Sequence, residues 1–114
     1  MLYKDLMAAS SIPMILTIIK NEETYGYEII QSIRAISVGN IEWQEGSLYP
    51  ILKKLEKKEL VRSRWSQTMS GKKRKYYSIT MKGTNELKIY KSQWMLVNEV
   101  MNDLWTRQNV YIDL

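Results

Sequence analysis

Apolar residues recur at three- and four-residue spacing in the middle of the chain, at Leu48, Ile51, Leu52 and Leu55. This spacing predicts an amphipathic helix that buries one stripe of its surface. The helix also carries four lysines, which therefore face away from the core: Lys53, Lys54, Lys57 and Lys58. Because Pro50 lacks a backbone N–H and suits the first turn, the helix is predicted to begin near Gly46–Ser47, with Ser47 as its cap.

A β-hairpin is predicted directly after this helix. Residues 60–66 and 73–80 are rich in β-branched or aromatic side chains, including Val61, Trp65 and the run Tyr76-Tyr77-Ser78-Ile79-Thr80. The segment 67–72 between them contains Ser70-Gly71 and predicts the turn. Four basic residues follow that glycine directly, so the tip of the hairpin is basic.

Upstream, the run Ser10-Ser11-Ile12-Pro13 combines a capping serine with a first-turn proline and marks the start of a helix. Its buried face is predicted at Met14, Ile15, Ile18 and Ile19. Residues 3–9 are either a short preceding helix or an arm that packs on a partner subunit.

A second helix is predicted from Tyr25-Gly26 to about Ser37, with Thr24 as a possible cap. Gly39 follows its end, as glycine commonly does. Its inward stripe is predicted at Tyr27, Ile30, Ile33 and Ile36.

A long helix is predicted from Thr80-Met81 to about residues 105–108. Apolar residues alternate at spacings of three and four along nearly three heptads, at Leu87, Tyr90, Trp94, Val97, Met101 and Leu104. Three heptads are short for an isolated coiled coil, so this seam is predicted to form a dimer interface. A second row, Ile89, Leu96 and Val100, could hold the helix to its own domain, and the alternative for the whole helix is an intramolecular core helix. Residues 109–114 are either frayed or strand-like.

Three helices followed by a hairpin are the element order of a winged helix-turn-helix. The predicted fold class is mainly α with a small β-hairpin. Residues 1–80 are predicted to form a winged helix-turn-helix DNA-binding domain, with the wing at about 60–80, and residues 81–114 a dimerisation helix and tail. In such a domain the third helix enters the major groove, while the wing reaches adjacent phosphates or the minor groove.

The composition of the 114 residues disfavours enzymatic chemistry. The chain has no Cys and no His, which excludes disulfides, thiolate metal sites and Cys or His nucleophile–base pairs. Acidic residues are not clustered for a carboxylate metal site, and no cofactor is expected. The sequence has no signal-peptide pattern, and its longest apolar run, 12–19, is too short to span a bilayer, so a cytoplasmic protein without membrane contact is expected.

The basic charge is concentrated in one segment. Residues 53–75 carry ten Lys or Arg against two Glu, a local balance of +8, whereas the whole chain carries +5. A basic helix next to a basic hairpin is typical of a duplex-binding surface, since each lysine–phosphate contact releases a condensed counterion. On charge alone, a solvated face that keeps a small protein soluble is an equally good interpretation. The combination of helix and hairpin favours nucleic acid.

Three segments together resemble the PadR family of bacterial transcriptional regulators. These are Tyr25-Gly26-Tyr27-Glu28-Ile29-Ile30, the run from Glu45 to Glu56 and the run from Gly71 to Thr80. The resemblance covers roughly residues 10–108, and the single C-terminal helix is similar to the smaller PadR subfamily. It implies a homodimeric winged-helix repressor that binds a pseudo-palindromic operator and is often released by small molecules.

The resemblance also implies roles for individual residues. Carried over by motif, the DNA contacts would be Tyr27, Ser47, Tyr49, Lys53, Lys54, Lys72, Lys73 and Arg74. Tyr49 would hydrogen-bond a phosphate, and the wing would contact backbone or minor groove. Tyr27 also fits the buried stripe of its helix, which leaves a purely structural alternative open.

Two further expectations concern partners. Some small PadR-like multidrug regulators hold flat aromatic compounds against a tryptophan of the last helix, and Trp94 matches that position. Trp94 is therefore a candidate stacking platform for a planar or cationic effector, with plain interface packing as the alternative. The alternative function for the whole chain is a winged-helix protein–protein adaptor whose basic face meets an acidic partner.

Overall fold

The computed structural model describes residues 2–107. Its elements are α1 (Lys4–Asn21), β1 (Thr24–Tyr25), α2 (Gly26–Ile36), α3 (Glu45–Lys57), β2 (Val61–Gln67), β3 (Lys73–Ile79) and α4 (Met81–Thr106). The strands form an antiparallel sheet in the order β1-β3-β2. This is a mainly helical winged helix, so the predicted fold class is confirmed. We call β2, β3 and their turn, residues 61–79, the wing.

A single apolar core joins the helices to the base of the wing. The stripe predicted on α3 is buried at Leu48, Leu52 and Leu55, and these side chains are 0% exposed. They pack with residues of α1, α2 and the sheet, among them Ile15, Leu16, Ile19, Ile29, Ile33, Val61 and Tyr77. Because three buried leucines fix α3 to the core, its opposite face is held outward at a defined angle to the wing.

The first helix begins at Lys4, so the predicted start at Ser10–Pro13 was wrong. Residues 4–9 belong to α1 itself. Both serines are buried in the helix and bond backwards to it: the Ser10 hydroxyl donates to the Leu6 carbonyl (2.5 Å), and the Ser11 hydroxyl donates to the Ala8 carbonyl (3.1 Å). A serine that bonds to a carbonyl of the preceding turn resembles a cap in sequence alone. Pro13 lies inside α1.

The buried stripe of α2 is shifted from the predicted one. Gly26, Ile29 and Ile33 are buried, whereas Tyr27 is 49% and Ile36 74% exposed. Neighbouring isoleucines at 29 and 30 allow two stripes that differ by one position, and the pattern alone did not choose between them. Thr24 does not cap the helix, because Thr24 and Tyr25 pair with Tyr77 and Tyr76 as strand β1. Because Tyr27 is not part of the buried stripe, its exposed side chain can contact a partner.

The third helix begins at Glu45, with Gln44 at the N-cap position and no side-chain cap. The Gln44 carbonyl accepts from the amides of Ser47 and Leu48, each at 3.0 Å. Ser47 is thus an exposed first-turn residue, and its predicted role as the cap was wrong. Pro50 lies inside the helix.

The last helix leaves the domain after its first third. Leu87 is 3% exposed and Tyr90 half-buried, whereas every residue from 91 to 107 is exposed. Ile89, Leu96 and Val100 are 53%, 59% and 48% exposed, so the second row does not hold the helix to its own domain. The intramolecular alternative therefore applies to the first turns only. The predicted boundaries agree with Met81–Thr106, and the tail 109–114 lies outside the described residues.

Candidate nucleic-acid interface

A cleft separates α3 from the wing. Glu45, Tyr49 and Lys53 stand at successive helical turns on one side of α3 and, with Glu56, form one wall. Trp65 and residues 72–75 of the wing form the other, with Tyr77 and residues 25–27 completing the lining. We call this the α3–wing cleft. It is lined by five cationic side chains, Lys53, Lys72, Lys73, Arg74 and Lys75, against the carboxylates of Glu45 and Glu56.

Tyr49 is supported by the first residue of α2. A Cβ placed on Gly26 would lie 2.8 Å from the Tyr49 hydroxyl oxygen and 2.9 Å from Cε1 and Cζ of the same ring. Only glycine therefore allows the ring to lie in this position. Tyr49 remains 43% exposed, so its hydroxyl is available to a ligand in the cleft.

Two tyrosines of the cleft, Tyr49 and Tyr77, have raised pKa values and remain protonated. Burial, followed by the nearby carboxylate of Glu45, raises the pKa of Tyr49 above its ordinary value. Burial also raises the pKa of Tyr77, with smaller contributions from Glu56 and Tyr49. The neutral Tyr49 hydroxyl can therefore donate a hydrogen bond to an anionic oxygen at physiological pH.

The turn of the wing is closed by its own hydrogen bonds. The Thr68 amide donates to the Lys72 carbonyl (2.8 Å), the Gly71 amide donates to the Thr68 carbonyl (2.9 Å), and the Lys72 amide donates to the Thr68 hydroxyl (3.2 Å). Gly71 has a φ of 85°, a left-handed conformation that glycine adopts without strain. The predicted turn at 67–72 is confirmed, and it leaves the side chains of Lys72 and Lys73 exposed.

Arg64 and Arg74 flank a pair of tyrosines on the face of the sheet opposite the one that carries Ser63 and Tyr77. The rings of Tyr25 and Tyr76 meet edge to face, with centroids 5.3 Å apart. The Arg74 guanidinium lies 4.4 Å from the centroid of Tyr25, and that of Arg64 lies 5.3 Å from the centroid of Tyr76. These contacts fix Arg74, a predicted DNA contact, at the rim of the cleft.

Glu23 forms an ion pair with Arg64. Its carboxylate accepts two hydrogen bonds from Arg64, at 2.5 Å from Nη2 and 3.0 Å from Nε. The hydrogen bond from Arg64 lowers the pKa of Glu23, and the same pairing raises the pKa of Arg64. This pair ties the middle of the wing to the loop before β1. Sequence reasoning missed it, because the two residues are 41 positions apart and no local pattern relates them.

A carboxylate also lies beneath the cleft. Glu56 of α3 accepts a hydrogen bond from the Ser63 hydroxyl, and its carboxylate lies 3.4 Å from Lys75 Nζ. The Ser63 hydrogen bond lowers the pKa of Glu56 most, and Lys75 lowers it further against an opposing effect of burial. Lys75 is thus partly neutralised within the protein, whereas Lys53, Lys72 and Lys73 are exposed to a ligand.

The structure brings together most of the predicted DNA contacts. Six of them line the α3–wing cleft: Tyr27, Tyr49, Lys53, Lys72, Lys73 and Arg74. The other two, Ser47 and Lys54, are exposed on α3 outside that lining. Ser47 and Lys54 are seven residues apart and therefore share a different face of the helix. Trp65 and Tyr25 line the cleft although neither was predicted as a contact.

The predicted seam on α4 is buried in its own domain before Tyr90 and exposed after it. Leu87 packs in the core of its own domain, where it is not available to a second chain. The later members are about half exposed: Trp94 50%, Val97 53%, Met101 43% and Leu104 47%. They form an apolar face on a helix that stands clear of the domain.

Comparison with known proteins identifies the family. The model of the PadR-like transcriptional regulator family matches residues 15–89, which span α1 from its middle, the whole wing and the first part of α4. The chain belongs to the PadR-like family. It is thus a DNA-binding transcriptional regulator and not an enzyme, and the PadR resemblance read from the sequence is confirmed.

Several relatives of this PadR-like chain cover nearly all of its length. A PadR-like transcriptional regulator from Bacillus cereus is 33% identical, with 90% of this chain and 97% of that chain covered and a TM-score of 0.79. A transcriptional regulator from Clostridium thermocellum is 28% identical, with 88% and 97% covered and a TM-score of 0.80. An uncharacterized protein of Lysinibacillus sphaericus is 32% identical over 102 residues, which are 90% of this chain and 94% of that protein.

The described part of this PadR-like chain holds neither a membrane-spanning helix nor a cluster of metal ligands. Between residues 2 and 107, none of the helices has the length and apolar character needed to cross a membrane. In the same range, no three His, Cys, Asp or Glu side chains stand together as ligands for a metal ion.

Proposed function

We propose that this PadR-like chain is a repressor that binds a pseudo-palindromic operator as a homodimer, with α3 in the major groove and the wing over the adjacent phosphates or minor groove. The observation that carries this proposal is the α3–wing cleft. Its cations, its exposed tyrosine hydroxyls and its position between a helix and a hairpin match the chemistry of a phosphate backbone. The proposed contacts are the six predicted residues that line the cleft, together with Ser47 and Lys54 on α3: Tyr27, Tyr49, Lys53, Lys72, Lys73 and Arg74.

The exposed face of α4 supports the dimer. Its residues beyond Tyr90 extend about 25 Å from the domain at 1.5 Å per residue. Trp94, Val97, Met101 and Leu104 repeat at the spacing of a helix–helix seam and are about half exposed in the isolated chain. An apolar face of that kind on a soluble protein is commonly covered by another protein surface. A second copy gives the two-fold symmetry that a pseudo-palindromic operator requires.

A small-molecule effector is the last part of this proposal. Trp94 is 50% exposed within the seam, so in a dimer its ring stands where two copies meet. A planar or cationic compound stacked on that ring would change the separation of the two α3 helices. Titration with a panel of planar dyes should quench tryptophan fluorescence in the wild type and leave Trp94→Ala unchanged. An equal response in both proteins would remove Trp94 as the platform.

The function itself is tested by a gel-shift titration. We expect purified protein to give a discrete shift on the DNA upstream of its own gene, to resist random-sequence competitor and to weaken steeply as salt rises. Sedimentation of the same sample should give the mass of a dimer. A shift that random DNA abolishes equally would contradict operator recognition. It would favour the adaptor function, in which the basic face binds an acidic protein.

A further inference from the structure

Trp65 is a large apolar side chain on the face of the wing that turns towards α3. Side chains alternate across a strand, so Ser63 and Trp65 point to the same face of β2. Ser63 donates to Glu56 of α3, which identifies that face. The cross-strand partner of Trp65 is Lys75, whose ammonium also lies 3.4 Å from Glu56. Trp65 is the next residue on that face towards the tip of the wing, where it lines the α3–wing cleft.

The domain itself does not bury this ring. Trp65 is 67% exposed and stands outside the apolar core, whereas its neighbours on the same face, Ser63 and Tyr77, are bonded to α3 or buried. Within residues 2–107, the aromatic and cation–π pairs of the wing involve Tyr25, Tyr76 and Tyr77 and not Trp65. A tryptophan carries one of the largest apolar surfaces of any side chain. Folding of the domain therefore leaves most of that surface without a partner.

The surroundings of the ring match a nucleic-acid backbone. Lys73 lines both the cleft and a neighbouring hollow together with Trp65, and Lys53 and Lys72 line the cleft. Such a combination of free ammonium groups and an exposed ring suits a ligand that presents both anions and apolar surface. Deoxyribose and phosphate alternate in that way along each wall of a DNA groove.

We propose that Trp65 is a DNA-contacting residue that packs its ring on deoxyribose at the edge of the minor groove beneath the wing, while Lys72 and Lys73 pair with the flanking phosphates. The proposal rests on the DNA-binding function given above. The indole N–H adds one donor to a phosphate oxygen or a base edge. Because the ring is uncharged, its contact releases no counterion and differs physically from those of the lysines.

This difference makes the contact measurable. Trp65→Ala should weaken binding to the upstream duplex roughly 5- to 50-fold, because it removes the apolar area that the ring would share with deoxyribose. The slope of log affinity against log salt should stay that of the wild type. Trp65→Phe keeps most of the apolar surface and should recover much of the affinity. Trp105→Ala is the matched control, because Trp105 is 65% exposed on α4 and should not alter DNA affinity.

Fluorescence locates the contact independently. Acrylamide should quench the free protein efficiently, and the duplex should protect it. This protection should disappear in Trp65→Phe and persist in Trp105→Phe. The circular dichroism spectrum and sedimentation mass of each variant should match the wild type.

Three results would overturn the proposal: an unchanged affinity of Trp65→Ala, a retained protection in Trp65→Phe, or failure of Trp65→Ala to dimerise. The last would mean that the ring covers a second copy of the chain. Failure of the wild type to bind any duplex would instead contradict the DNA-binding function itself, and with it the contact.

Discussion

The ring of Tyr49 lies against the α-carbon of Gly26, where a Cβ would stand 2.8 Å from the tyrosine hydroxyl oxygen. This packing couples the first residue of α2 to α3, the helix that carries half of the proposed DNA contacts. The ring is held by α2 on one side and exposed to the cleft on the other. The orientation of the Tyr49 ring therefore depends on the absence of a side chain at Gly26.

Gly26→Ala should impair DNA binding without unfolding the protein. The added methyl group meets only the far end of a half-exposed side chain, so the ring can swing out, and we expect the free energy of unfolding to change by less than about 1 kcal/mol. DNA affinity should fall roughly tenfold, as for the loss of one hydrogen bond to a charged group. In a Tyr49→Ala background the same change should have no further effect on affinity. Additive losses would show that Gly26 acts independently of Tyr49.

Lys72 and Lys73 should account for part of the salt dependence of binding. Both are exposed at the tip of the wing, and replacing them by Ala should weaken specific and random DNA alike. The magnitude of the slope of log affinity against log salt should fall by about 0.9 for each lysine–phosphate pair that the substitutions remove, summed over both copies of a dimer. Lys88→Ala with Lys91→Ala, on exposed positions of α4, is the matched control. An unaltered slope in the wing variant would place the phosphates elsewhere.

Gly83 should tolerate no side chain. It lies in the first turn of α4 against β2 and β3, and a Cβ there would stand 2.8 Å from Ile79 Cγ1 and 2.9 Å from the carbonyl carbon of Leu60. The Leu60 carbonyl also accepts from the Thr80 amide at 3.1 Å, so this backbone cannot move away cheaply.

Gly83→Ala should therefore lower the free energy of unfolding by about 3 kcal/mol or more, measured by urea denaturation. Gly46→Ala is the control, because a Cβ at Gly46 meets nothing within 4 Å. Similar stabilities of the two variants would contradict this packing.

Glu59 occupies a position that favours glycine. Its φ is 63°, and the Leu60 amide donates to the Leu55 carbonyl (3.0 Å) while the Glu59 amide donates to the Glu56 carbonyl (2.9 Å). These two bonds form a Schellman motif at the end of α3, with a non-glycine residue in the left-handed conformation. Glu59→Gly should raise the free energy of unfolding by about 0.5–1 kcal/mol. Glu59→Gln removes the charge but keeps the strain, so an equal gain in that variant would make charge the cause.

The sequence predicted those parts of the fold that depend on local patterns. The leucine stripe of α3, the turn of the wing and the limits of α4 follow from spacing, turn residues and length, and the structure agrees with each. It failed where two local patterns compete. Ser10 and Ser11 have the composition of a cap but bond inside a longer helix, and the run of isoleucines in α2 allowed a stripe one position away from the real one.

The site was predicted in outline and missed in its supports. Charge and the PadR-like motif predicted Tyr49, Lys53 and the wing lysines as DNA contacts, and these side chains line one cleft in the structure. Glu23 meets Arg64 only when β1 pairs with β3, and Glu56 meets Ser63 only when the sheet packs on α3. Trp65 was predicted only as a strand residue, because a strand pattern does not show whether the rest of the fold covers the ring, which is 67% exposed.

Glu56 should make the attachment of the wing to α3 sensitive to acid. Its pKa is lowered in the folded protein from an ordinary 4.5, so its contribution to stability is present above that value and is lost as pH falls through the lowered folded pKa. The stability difference between wild type and Glu56→Gln, from urea denaturation at several pH values, should therefore be constant near neutrality. It should shrink only below about pH 4.5.

The two partners of Glu56 separate the causes of this shift. The Ser63 hydrogen bond is the largest single cause of the lowered pKa of Glu56, and Lys75 contributes both its charge and a hydrogen bond, so Ser63→Ala and Lys75→Ala should each bring the carboxyl closer to its ordinary titration. Carboxyl NMR shifts followed against pH measure both variants directly. A larger change in Lys75→Ala would mean that Lys75, more than the hydroxyl bond, lowers the pKa of Glu56, and no change in either variant would contradict both contacts. If Lys75 is the larger cause, high salt should bring the pKa of Glu56 closer to its ordinary value, because screening weakens an exposed ion pair.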